Sequence, residues 1–197
     1  MPDPPGETGV PISPLESQIR ELFGRVAYSH KTHEKAADLL QARLHRLKTA
    51  EIVLSAITTT GLLATIFAQH DAARYTAIIA ALFSTAVLAL TTYTKDFDLG
   101  SKSQAHTETA TRLWDIRESY LSLLGDLRSG ALDEATARER RDQLQGSLGI
   151  VYRSAQRTSQ KAYTEAQKAL QVREDLTFSD AEIDSLLPSA LRHGDAT

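Results

Sequence analysis

The chain has 197 residues, a formal net charge of -3, six histidines and no cysteine, and its mean hydropathy of -0.26 resembles that of a soluble protein. The acidic balance excludes a global basic surface for nucleic acid, so no direct nucleic-acid partner is expected. The absence of cysteine excludes disulfides and cysteine-ligated metals and fits a reducing compartment.

The average hides an uneven distribution. From Ile52 to Thr94 the only formal charges are Asp71 and Arg74, whereas both flanks are charge-rich, the profile of a small membrane protein with cytosolic arms. Residues 1–14, "MPDPPGETGVPISP", carry Pro and Gly without an apolar signal-peptide core and read as a disordered lead-in. Over 15–50, Ile19, Leu22, Val26, His33, Ala37, Leu40, Leu44 and Leu47 keep a three–four spacing with one gap at His30. This predicts one amphipathic helix, capped by Ser13 or Ser17, with charges on its other faces, running into the first apolar stretch.

Two apolar stretches follow, 52–69 and 75–94, of roughly 18 and 20 uncharged residues, each near the length a helix needs to cross about 30 Å of hydrocarbon. Both are rich in hydroxyls and alanine, so each is marginal as a single span. Joined by "HDAAR", His70 to Arg74, they are expected to insert together as an antiparallel pair. Small residues recur every four positions at Ala77, Ala81, Thr85 and Ala89, the spacing that lets transmembrane helices approach closely. Ser55, Thr58, Leu62, Thr65 and Gln69 share one face of the first stretch. That face either lines a polar path in a ring of hairpins or bonds to backbone carbonyls without any channel. Arg43, Arg46 and Lys48 precede the hairpin and Lys95 and Lys102 follow it, which places both termini in the cytoplasm by the positive-inside rule.

Residues 100–175 read as a cytosolic helical hairpin. Leu113, Ile116, Tyr120, Leu123 and Leu127 form the inner face of a helix stopping at Gly130. Asp133 opens another, with Leu144, Leu148, Val151, Ala155, Ala162, Ala166 and Ala169 inward and a break or kink expected near Gly146 and Gly149. The tail, 176–197, contains a short helix capped by Ser179 and ended before Pro188. No strand signal and no repeat is visible. The expected fold is all-α, a two-helix transmembrane hairpin flanked by long amphipathic cytosolic helices, with 15–175 as a single domain.

Little here suggests chemistry. In "HKTHE", His30 and His33 are three apart and not the four of the zincin arrangement, so they read as solvated or seam histidines. His106 with Glu108, Asp115 and Glu118 reads as a solvated polar face. No phosphate-binding loop, dinucleotide fingerprint or nucleophile elbow occurs. No catalytic residue, cofactor or metal is expected, and the chain is not expected to be an enzyme.

The order of basic helix, apolar hairpin, "LWDIRESYLSLLGDLRSG", "ARERRDQLQ", "VYRSAQRTSQKAYTEAQKAL" and "TFSDAEIDSLLPSAL" resembles the SLATT family, SMODS- and SLOG-associating effector domains with two transmembrane helices. The resemblance covers Ser17 to Leu191 and rests on the order of segments rather than on any one motif. It implies a homo-oligomeric, pore-forming effector of the bacterial inner membrane, acting in an antiphage conflict system such as CBASS and leading to abortive infection. It also implies a trigger from a nucleotidyltransferase or SLOG-type sensor encoded nearby. Two other readings stand beside it, a membrane-anchored helical scaffold without a pore and a soluble helical bundle with the hairpin as its core.

Overall fold

The computed structural model describes residues 13–67, 70–173, 175–188 and 192, so the expected disordered segment lies outside it up to residue 12. Six helices make up the described chain: α1 (Pro14–Phe67), α2 (His70–Phe97), α3 (Leu99–Arg128), α4 (Glu134–Ser154), α5 (Gln160–Gln171) and α6 (Asp180–Leu186).

Ser13 begins α1 by accepting the Glu16 N–H at 3.1 Å. Pro14 sits in the first turn, where its missing N–H costs nothing. No proline follows within the 54 residues of α1, so the amphipathic arm and the first apolar stretch form one rod of about 80 Å at 1.5 Å per residue. The second rod is α2 plus α3, articulated at Asp98. This residue adopts the left-handed region (φ 40°) and caps α3 by accepting the Ser101 N–H at 3.2 Å, a conformation that aspartate tolerates better than most residues. Contacts pair Glu51 with Thr91, Ala37 with Ser103, His33 with His106 and Glu16 with Arg128. Rising numbers on one rod meet falling numbers on the other, so the rods are antiparallel.

Two expectations need correction. His70 to Arg74 do not form the loop of the hairpin; they make the opening of α2, which begins at His70. Gly146 and Gly149 do not break their helix, because α4 continues through both. A helical glycine costs only about 1 kcal/mol against alanine and blocks no hydrogen bond. The break falls at residues 155–159, where Ala155 turns extended and Ser159 caps α5 by accepting the Ala162 N–H at 3.2 Å.

Gly130 (φ 72°) ends α3 in the left-handed conformation that glycine adopts without steric cost. The chain then reverses and α4 packs along α3. Leu15, Ile19, Leu22 and Val26 of α1 meet Leu113, Ile116, Tyr120 and Leu123 of α3 and Ala137, Leu148 and Val151 of α4, with Ile19, Val26, Leu113 and Tyr120 wholly enclosed. Burying each large aliphatic side chain contributes about 1.5–3 kcal/mol, so this end of the rods holds the bundle together. After the break, α5 lays Ala162, Ala166 and Ala169, each 0% exposed, against α1. Ser179 and Glu182 form a reciprocal capping box at the start of α6.

Candidate functional site

Two regions carry chemistry beyond the core: the apolar hairpin at one end of the rods and a polar layer midway along them.

In the hairpin, apolar side chains turn outward. Ile52, Leu63, Ile66 and Phe67 on α1 and Ile78, Leu82 and Leu88 on α2 are all more than half exposed. No residue in the apolar part of α1 is buried, and on α2 the buried residue among those described is Ala80. Water would penalise this surface by about 25 cal/mol per Å², and no other element among the described residues covers it. The hairpin is therefore not the core of the helical bundle within this chain.

The seam between α1 and α2 is built from small and hydroxyl residues. Ser55, Thr58, Gly61 and Thr65 are half-buried towards α2, and Ala73, Thr76, Ala80 and Phe83 are the inward side of α2. At Gly61 an added Cβ would lie 3.5 Å from the Ala80 Cβ, in ordinary contact. Of the hydroxyl face anticipated from sequence, Ser55, Thr58 and Thr65 lie together on this seam, Leu62 is exposed, and Gln69 lies outside the described residues. Thr58 donates to the Leu54 carbonyl at 2.9 Å and Thr65 to that of Leu62 at 2.6 Å, the usual way a helix satisfies a hydroxyl in apolar surroundings. Ala77, Ala81, Thr85 and Ala89 are brought together as a stripe, but on the exposed side of α2, away from α1.

The polar layer is where sequence reasoning missed most. His106 is not on a solvated face. It is buried between the rods, its Nδ1 2.9 Å from Nδ1 of the equally buried His33. One ring donates and the other accepts, so only one proton fits between the facing nitrogens. Burial, followed by repulsion from His106, lowers the His33 pKa to about 4; burial alone lowers that of His106. His30 fills the gap in the α1 pattern and is also buried, its pKa lowered by burial against the opposing pull of Glu34. Ser103 donates to the Ala37 carbonyl at 3.0 Å in the same layer. The available signal was register: Leu99, Ser103, His106, Ala110 and Leu113 step by three and four along α3, so the polar members share the inward face with the apolar ones.

Lys31 departs from the expectation that charges keep to the outer faces of α1. It is 8% exposed, and its ammonium lies 3.1 Å from both Glu34 and Asp175. Burial disfavours the charge, but hydrogen bonds to the two carboxylates outweigh it and raise the Lys31 pKa, while the same bond lowers that of Asp175. The pair ties the chain after α5 back to α1. Among the described residues no group of three or more metal-ligating side chains converges.

A family model described as SMODS and SLOG-associating 2TM effector domain family 4 matches residues 15–182. No curated protein and no solved structure matches the chain.

Proposed function

The chain belongs to this family of two-transmembrane effector domains, and on that premise we propose that it is a pore-forming membrane effector of a bacterial conflict system. The observation that carries the reading is the outward-facing apolar surface of α2 and of the far end of α1, which nothing among the described residues covers. A bilayer supplies the missing cover, with both rods crossing it and Arg43, Arg46, Lys48, Lys95 and Lys102 on the cytoplasmic side. Both termini are then cytoplasmic and the bundle of α1, α3, α4 and α5 hangs below the membrane.

Assembly into a homo-oligomer is supported by the stripe of Ala77, Ala81, Thr85 and Ala89, which is free of α1 and smooth enough for a second copy. The seam holding Ser55, Thr58 and Thr65, only half-buried against α2, then turns its open side to the axis of the ring, and the cytosolic helices transmit a trigger from a partner sensor of the nucleotidyltransferase or SLOG type. No catalytic step is assigned to the chain. A second reading, a membrane-anchored scaffold without a pore, is favoured by the hydroxyls of Thr58 and Thr65 being already satisfied within their own helix.

Carbonate extraction of membranes, the mass of the detergent-solubilised particle and dye release from liposomes test these readings together. The pore predicts a carbonate-resistant multimer whose leakage is abolished by Thr58→Leu with Thr65→Leu while insertion persists. Unchanged leakage in that variant removes the two residues from the path. A carbonate-resistant protein that never permeabilises liposomes is the scaffold, and release by carbonate as a soluble species overturns membrane insertion altogether.

A further inference from the structure

Where the polar layer gives way to the hairpin, a recess of about 680 Å³ opens between α1, α3 and the α4–α5 connection. Arg43 and Arg46 line it from α1, Lys102 from α3, Arg157 from the connection and Lys161 from the first turn of α5; no carboxylate lines it. The cations at the other end of the bundle are neutralised, as Arg128 is by Glu16 and Arg140 by Asp126. None of the five around the recess has a carboxylate within 4.0 Å among the described residues.

What holds Arg43 and Lys102 leaves their charge uncompensated. Arg43 hydrogen-bonds to the Tyr93 hydroxyl and lies 5.6 Å from that ring's centroid, and the Lys102 ammonium lies 5.8 Å from the Phe97 centroid. Ser159, the cap of α5, also lines the recess, so the positive end of that 12-residue helix adds to the same field. Five like charges around one concavity repel one another and concentrate anions there. In a chain of net charge -3, this is local arrangement and not overall composition.

We propose that this recess is a binding site for a phosphate-bearing anion. Two sources share that chemistry. Arg46 lies six residues before Ile52 and Lys102 eight after Thr94, about 9 and 12 Å below the apolar stretches at 1.5 Å per residue. That depth is just beneath a headgroup layer of about 5–8 Å, within reach of an anionic lipid and open to a soluble phosphate compound. The assignment does not rest on the pore. Its lipid source requires only that the hairpin be inserted, which carbonate extraction tests separately.

The test uses full-length protein, wild type and the double variant Arg157→Glu with Lys161→Glu, both positions being exposed and outside the core. Arg138→Glu, at the far end of α4, is the charge control. Calorimetric titration of the detergent-solubilised protein with inorganic pyrophosphate reads the soluble source. Melting temperature in phosphatidylcholine nanodiscs with and without phosphatidylglycerol reads the lipid source. Pyrophosphate binding that weakens by about a hundredfold in the double variant and is kept in Arg138→Glu supports a free phosphate ligand. Stabilisation by phosphatidylglycerol that the double variant alone loses supports a lipid headgroup. Neither effect in wild type, or equal losses in Arg138→Glu, overturns the site.

Discussion

The buried histidine pair makes the helical bundle sensitive to acid. In the unfolded chain His33 takes up a proton near its ordinary pKa of 6.5, and in the folded chain only near pH 4. Between those values the unfolded state binds more protons, so stability rises with pH across the window. It is fully present above pH 6.5 and falls as the pH drops towards 4. A difference of about 2.5 pH units at about 1.4 kcal/mol each gives a loss of roughly 3–4 kcal/mol from His33. Because burial also lowers the pKa of His106 and His30, the slope exceeds that of one proton. The assay is urea unfolding of the detergent-solubilised protein, followed by fluorescence of Trp114, the single tryptophan, which sits on α3 half-exposed beside the layer. Midpoints should be constant above neutrality and decline steadily below pH 6.5, and His33→Gln should flatten part of that decline whatever its stability at neutral pH. A wild-type midpoint independent of pH between 7 and about 4.5, or the same slope in His33→Gln, refutes the reasoning.

Four further outcomes follow from the packing. Gly146→Ala should stabilise the protein by about 1 kcal/mol in the same unfolding experiment, because the added Cβ meets nothing within 4 Å and the helix is continuous there. Gly130→Ala should destabilise it by about 1 kcal/mol, since the methyl group is forced into the left-handed region. Ala80→Leu, at the buried point where α2 faces Gly61, should overpack the hairpin seam and cost about 1–3 kcal/mol on thermal unfolding in detergent, with carbonate resistance unchanged. Lys31→Met should loosen the segment after α5, read as faster amide exchange over the last turn of that helix than in wild type.

Local pattern was enough for much of the architecture. The three–four spacing of Ile19, Leu22 and Val26, and of Leu113, Ile116, Tyr120 and Leu123, marks the buried faces correctly, because a helix exposes its period directly in the sequence. Ser13, Asp133 and Ser179 mark helix starts and Gly130 a helix end, since capping is decided within a few residues. The charge-poor interval from Ile52 to Thr94 likewise announces the hairpin, because desolvating a charge is costly wherever it sits. The family likeness was legible too, in the order of these segments.

Other features depend on which helix lies opposite, which no local pattern encodes. His106 looks solvated beside Glu108 and becomes buried only because α1 brings His33 across from it, 73 residues earlier in the chain. Lys31 can be buried only because Asp175 arrives to share its charge with Glu34. The stripe from Ala77 to Ala89 and the inward positions Ala73, Thr76 and Ala80 are both small-residued in sequence, and only the rotation of α2 about its axis decides which meets α1. The basic recess gathers its cations from three separated segments. Periodicity fixes which residues of one helix stand together; the burial of a polar group and the convergence of like charges are set by the partner helices, and these only the tertiary structure supplies.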